Sequence, residues 1–236
     1  MIRKNISDLI FIKWFIGVIF VLIFIFTLNY LGFLHSLINN DASYITSLIL
    51  IIFIYFSIKV GIELFYIRTR YMNIDVLLSM LLTKSKRDVS SVLKRFQSST
   101  NSDDQSIYLY IISNENTESA KERLEYNLTS KLNIGWLVSD GLLKLGLIGT
   151  VIGFIIMLSA ITDIDGFDFT MMKDMLQNMS KGMEVALYTT LSGLVSSILL
   201  TIQYSYLEYY TYKIFYIANA CLAHYPVDFS DINNDE

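Results

Sequence analysis

The side chains able to do chemistry in this sequence are mostly hydroxyls, and they lie where charge is absent. Thr150, Thr189, Thr190, Ser192, Ser196, Ser197 and Thr201 fall within two uncharged runs, Leu145 to Thr162 and Val185 to Leu207. A hydroxyl both donates and accepts a hydrogen bond, so it can guide a proton or replace part of an ion's water. The charged groups stand at the margins. Asp140 and Lys144 are four apart before the first run, Lys59 and Glu63 are four apart after an earlier one, and Glu184 adjoins the second. Four-residue spacing suits intrahelical neutralisation; Asp140 with Lys144 is also a candidate cytoplasmic exit for an ion. An acid such as Glu184 is favoured in the N-terminal half of a helix by the dipole. Proton conduction normally needs a titratable group at depth, and no carboxylate stands in the middle of a run. A proton path here needs its acid from another chain.

The elements that must hold these groups are membrane helices. Of the 236 residues, 53% are hydrophobic and 17% charged, against about 25% charged in an average soluble domain, which excludes a purely water-soluble globule. No charge occurs from Trp14 to Asn40 or from Ala42 to Ile58 either. Each run approaches or exceeds the roughly 17 to 25 residues that a membrane helix needs. The pattern predicts an all-α polytopic membrane protein with four transmembrane helices, at 14–34, 44–66, 136–162 and 183–206. Arg3 and Lys4 ahead of the first run imitate a secretory signal, but the run is too long and lacks an A-x-A-like cleavage site. It is expected to remain as the first span.

Ten Lys and Arg lie between Ile67 and Asn133, against none from His35 to Ser43 and two, Lys173 and Lys181, from Asp163 to Gly182. By the positive-inside rule, the termini 1–13 and 207–236 are cytoplasmic, as is a helical domain at 67–135 between the second and third spans. The periplasmic link is 163–182, with a short helix marked by Met171, Met172, Met175 and Leu176. It either lies flat at the interface or caps the bundle. In the cytoplasmic domain, Val76, Leu77, Met80, Leu81 and Val89, Val92, Leu93, Phe96 recur at helical spacing. The polar run Gln97 to Ser106 reads as a loop, and Lys121 to Leu132 as a cytoplasmic extension of the third span. Beyond the fourth span, Tyr204, Tyr206, Tyr209, Tyr210, Tyr212 and Tyr216 continue the helix toward Pro226, as an interfacial belt or a binding surface.

Several function classes drop out. A net charge of −4 and a pI of about 5.2 set the overall field against nucleic acid. The lone Cys221 cannot form an internal disulfide, and two His with one Cys cannot build a four-ligand zinc site. No Ser/His, Asp/Asp or metal-ligand constellation occurs within the runs, and His35 and His224 lie outside them, so no enzyme is expected.

The third and fourth spans differ from the first two in kind. Gly146, Gly149, Thr150 and Gly153, and then Ala186, Thr190, Gly193, Ser197 and Thr201, recur at steps that put each set on one helix face. Small residues at this spacing let membrane helices approach closely; the same stripes can line a polar path, and both readings stand. Thr150 lies near mid-membrane, about 20 Å from Trp136 and about 17 Å from Ile161 along the helix. A second stripe, Thr189, Ser192 and Ser196, is more polarity than packing needs.

LGLIGTVIGFIIML (Leu145 to Leu158) and KGMEVALYTTLSGLVSSILLTIQYSYLE (Lys181 to Glu208) resemble the paired signatures of the MotA/TolQ/ExbB family of ion-motive-force channels. The resemblance covers spans three and four and the helix entering span three. It implies a motor or energy-transducing channel subunit of the bacterial inner membrane. It further implies a homopentamer enclosing two copies of a single-span partner similar to MotB, TolR or ExbD, whose helix supplies an Asp. Ion passage past that Asp would drive rotation or other mechanical work. Thr150, in the GTV of span three, and Thr190, in the TTLSGL of span four, would face the Asp, with Thr189, Gly153, Gly193 and Ser197 beside the path. Leu143 stands at about the position where many TolQ- and ExbB-like members have Pro, and Val185 where ExbB-like members have a functional Glu. Glu184, one residue earlier, is about 100° round the helix. No cofactor is implied. The expected ion is H+; the adjacent Thr189 and Thr190 resemble sodium-type members and keep Na+ as the alternative. The other alternative is a membrane scaffold without ion conduction, whose stripes only pack. Nutrient import, envelope maintenance, motility and phage defence of the Zorya type are the candidate uses, and the short stretch after Pro226 argues against a Zorya-like tail.

Overall fold

The one proline of the chain is Pro226, so no residue before it lacks a backbone donor and helices can run long. The computed structural model describes residues 44–83, 86–99, 101–112, 118–162 and 169–224, with Phe15, Gly17, Ile19 and Tyr30. The elements are α1 Ile45–Thr83, α2 Lys86–Gln97, α3 Ser102–Ile112, α4 Glu118–Thr162 and α5 Phe169–His224. Among the described residues, three helices are long and apolar enough to cross a membrane, over Ile45–Leu82, Glu118–Ser159 and Met172–His224. Of the expected first span, 14–34, only Phe15, Gly17, Ile19 and Tyr30 are described, and the rest falls outside the described residues. With 39, 45 and 56 residues, α1, α4 and α5 are about 58, 68 and 84 Å long. About 30 Å suffices to cross hydrocarbon, so each helix has a portion to spare for water.

Two expectations change. The short helix expected inside 163–182 is not separate, because Phe169–Gly182 is the opening of α5. Gly182, its one helix breaker, is held against Met157. The loop expected at Gln97 to Ser106 is also shorter, because Asn101 caps α3. The Asn101 side-chain oxygen accepts from the Asp103 N–H at 3.2 Å, and its carbonyl accepts from Asp104 and Gln105. Asn, Asp and Ser favour caps as well as loops. Asp103 and Asp104 then fall in the first turn, where the dipole favours acids.

Contacts divide the chain into two units; among the described residues, one holds 61–134 and 205–224, the other 44–60 and 135–204. The core of the first comes from Ile67, Ile74, Leu77 and Leu81 of α1, the whole predicted face of α2, and Ile107 and Ile111 of α3. Val76 is 38% exposed, since the buried stripe of α1 passes through Ile74 instead. Charge enters this core at Arg70, whose side chain is 4% exposed and meets Asp103 at 3.2 Å and Asp104 at 2.6 Å. Lys131 reaches Asp103 at 3.0 Å and Glu63 at 4.0 Å, and Ser99 donates to Asp104 at 2.7 Å. These charges join α1, α3 and α4. Glu63, expected to neutralise Lys59, thus has Lys131 as its ion-pair partner; the Lys59 ammonium sits 5.7 Å from the centre of the Phe56 ring.

Cys221 is buried in the same unit, its Sγ 3.8 Å from the Ile74 carbonyl. Burial first, and then the Asp75 carboxylate, pushes its thiol up to about 12. A rise from 9.0 to about 12 lowers the thiolate about a thousandfold, and the thiolate is the nucleophile. Maleimide labelling at pH 7, followed by mass spectrometry, is therefore expected to be slow in the native protein and complete in denaturant. The unfolded thiol ionises first, so this contribution to stability is present below about pH 9 and is lost as pH rises toward about 12.

In the second unit, large apolar side chains face outward: Ile51, Val151, Phe154 and Leu187 are each more than half exposed. Apolar side chains left this exposed suit lipid or a neighbouring subunit.

Candidate functional site

The third and fourth expected spans are parts of α4 and α5, and their small residues set the register between these helices. Gly182 lies against Met157, Ala186 against Gly153, Thr189 against Gly149 and Gly193 against Gly146. Farther along, the Ser139 hydroxyl donates to the Ser197 carbonyl at 2.9 Å, and the Tyr204 ring fills the space at Gly135. Tyr204, expected at the headgroup level, is therefore a packing residue, 4% exposed. The α5 numbers rise as the α4 numbers fall, so the helices are antiparallel. From Gly182 to Tyr204 the contact extends about 33 Å, the thickness of bilayer hydrocarbon.

Close approach at two levels requires glycine. A Cβ on Gly153 would stand 2.6 Å from the Ala186 nitrogen, and one on Gly193 2.8 Å from the Gly146 Cα. Both obstacles are backbone, which cannot swing aside. Gly153→Ala is expected to cost about 1–3 kcal/mol through overpacking and to lower the melting temperature in detergent. Gly141→Ala, where the added carbon meets nothing within 4 Å, should leave melting unchanged or raise it through helix propensity. Identical melting of both variants would contradict the register.

The hydroxyls divide by what packing leaves of them. Thr189 is fully buried, its side chain against Gly149 and its hydroxyl 2.9 Å from the Val185 carbonyl and 3.0 Å from that of Ala186. Ser192 donates to the Thr189 carbonyl at 2.9 Å, Ser196 and Ser197 are buried, and Thr201 shares a hydrogen bond with Ser139. Thr150 and Thr190 are only half-buried. Thr150 donates to the Leu147 carbonyl at 2.6 Å. Thr190 donates to the Ala186 carbonyl at 3.0 Å, with the Gly146 carbonyl 3.4 Å away. Gly153, Gly193, Ser197 and Thr189 are thus packing residues within the protomer, while Thr150 and Thr190 keep hydroxyls near its surface. Asp140 and Lys144 pair with each other at 2.6 Å, both more than half exposed.

The level of Glu184 is given by its neighbours on α4. It lies between the Gly182–Met157 and Ala186–Gly153 levels, beside about Ile155. That is about 10 Å inside Thr162, where the uncharged run of α4 ends. Its side chain hydrogen-bonds Tyr188. Gln203 Oε1 is buried with no hydrogen-bond partner among the described residues. Ser139 escaped the sequence reading, yet Gly135, Ser139, Leu142 and Gly146 extend the small-residue stripe of the third span backward by steps of 4, 3 and 4; following that stripe would have found it. Among the described residues, no cluster of His, Cys, Asp and Glu can hold a metal ion.

A family model described as the MotA/TolQ/ExbB proton channel family matches residues 89–217. The match spans more than half of the chain and includes the whole α4–α5 contact. No curated protein and no solved structure shows a significant match.

Proposed function

Since the chain belongs to the MotA/TolQ/ExbB proton channel family, we propose that it is the channel subunit of an ion-motive-force-driven motor or energy transducer. Family membership makes it a membrane-embedded channel component. In our reading, five copies surround two copies of a single-span partner like MotB, TolR or ExbD in the bacterial inner membrane, with both termini cytoplasmic. Proton flow past an Asp of the partner drives rotation or other mechanical work.

The observation that carries this reading is the distribution of hydroxyls on α4 and α5. Packing consumes Thr189, Ser192 and Ser197, while Thr150 and Thr190 are only partly buried, at a level where neither helix has a carboxylate. The nearest acid, Glu184, is six residues from Thr190, about 9 Å along the axis. In this reading the acid at the level of the two threonines comes in trans. A threonine hydroxyl suits an Asp that alternates its protonation, because it donates to the carboxylate and accepts from the acid. Turning Thr190 Oγ1 from the Ala186 carbonyl to a carboxylate replaces a neutral hydrogen bond by a charge-assisted one, roughly twice as strong. The Asp takes a proton from the outer side, passes the apolar surface neutral, and releases the proton toward the cytoplasm. One charge crossing about 100 mV releases about 2.3 kcal/mol. Proton rather than sodium is favoured because the Thr189 hydroxyl is buried on carbonyls of its own helix, which leaves Thr190 without a second free hydroxyl beside it for a sodium shell.

Native mass spectrometry of the tagged chain, purified with its co-expressed genomic neighbours, tests the composition. Five copies with two of a small single-span protein bearing an intramembrane Asp are expected. A lone oligomer, found repeatedly in mild detergent and in nanodiscs, would instead favour the scaffold.

A further inference from the structure

The first unit carries two surface patches of opposite charge. One is a groove of about 450 Å³ between α4 and α5, lined on one side by Glu118, Lys121, Glu122 and Glu125 and on the other by Phe215, Tyr216 and Asn219. The four α4 residues recur at steps of 3, 1 and 3, which makes one continuous stripe. Lys121 lies 3.8 Å from Glu118, while Glu122 and Glu125 have no ion pair among the described residues. Tyr216 is 75% exposed. Carboxylates beside an open aromatic face are what a guanidinium recognises, by forked hydrogen bonds and by stacking.

The other surface is α2. Its last turn bears Lys94 and Arg95, in a chain whose net charge is −4. Val89, Val92, Leu93 and Phe96 bury its apolar face, and Lys94 and Arg95 are exposed. Groove and basic helix are distinct patches on the same chain. A contact between distinct patches is head-to-tail, and such contacts form a ring where the rotation between copies closes. Equal stoichiometry of the two halves is then automatic.

We propose that the basic face of α2 in one copy docks in the acidic aromatic groove of the next copy, with Arg95 between Glu122 and Glu125 and over the Tyr216 ring. The inference rests on the proposed ring of copies and gives it a second contact outside the spans. The test uses two differently tagged full-length chains, both Cys221→Ala, one Arg95→Cys and the other Glu122→Cys, co-expressed with the genomic neighbours. Membranes are treated with a short bis-maleimide, and the variants are kept only if their melting matches the parent; Lys94→Cys with Glu125→Cys is the second pair.

A cross-linked species bearing both tags is expected from the mixed membranes and from neither chain alone. Glu125→Lys in the groove copy should lower its yield at least about tenfold, since like charges juxtaposed in an interface cost several kcal/mol, and Lys94→Glu in the other copy should restore it. An oligomer seen by native mass spectrometry without the two-tag species, or with a yield indifferent to these reversals, would overturn the docking and leave the channel reading intact. Quenching of a fluorophore at Arg95→Cys by lipid-borne quencher would overturn it in favour of an anionic membrane surface. Absence of any oligomer would overturn the ring itself.

Discussion

Replacing Thr190 by valine is expected to cut proton flux by about tenfold to a hundredfold while the assembly still forms. Valine keeps the shape, so the close level at Gly146 and Gly193 is preserved. The Ala186 carbonyl that takes the Thr190 hydroxyl at 3.0 Å retains its own helix bond. What is lost is the hydroxyl that meets the partner's Asp. A hydrogen bond to a charged group is worth about 1.5–3 kcal/mol, and each 1.36 kcal/mol is tenfold in rate. Thr150→Val should act in the same direction. Thr189→Val supplies the contrast, because that hydroxyl is buried on Val185 and Ala186. It should shift melting by no more than about 1 kcal/mol and leave flux near wild type. Dye-reported proton flux in proteoliposomes, normalised to the oligomer recovered, checks all three. If Thr150→Val and Thr190→Val keep both flux and assembly, the stripes only pack and the scaffold is favoured.

Arg70→Met is expected to destabilise the unit formed by 61–134 and 205–224 by about 3–5 kcal/mol, the usual penalty for stranding a buried charge. Asp103 is 6% exposed at its side chain and would lose its contact at 3.2 Å, keeping Lys131 and the Ser102 hydroxyl. Asp104, 21% exposed, can turn partly to water. Hydrogen exchange should speed up most in α3, whose first turn holds both acids. Adding Asp103→Leu should recover much of the loss, since well-packed apolar replacements of buried pairs are often neutral. Unchanged melting of Arg70→Met would show that the cluster holds nothing together.

How much of this was legible in the sequence depended on the range of the interaction. The stripes of small residues on α4 and α5 could be read because helical periodicity is local, and they are the faces that meet. Which of the adjacent threonines faces the surface could not be read. Thr189 and Thr190 differ by about 100°, and only the register against Gly149 and Gly146 separates them. The level of Glu184 against α4 is hidden for the same reason, since it is measured on the neighbouring helix. The polar run before α3 was read as a loop because its composition suits a loop and a cap alike; the Asn101 bond decides. The Arg70 cluster brings together α1, α3 and α4 from distant stretches of the chain, and no local pattern announces it. Tyr204 looked like an interfacial residue until Gly135 opposite gave it room.

The most direct measurement is proton flux under an imposed membrane potential, in proteoliposomes that contain the chain together with its co-purified single-span partner. The expected result is a flux that falls to the level of empty liposomes when the partner is omitted or when its intramembrane Asp is changed to Asn, and that is strongly reduced by Thr190→Val. A complete complex whose flux equals that of empty liposomes, or a flux indifferent to the partner's Asp, would contradict a channel that borrows its acid in trans.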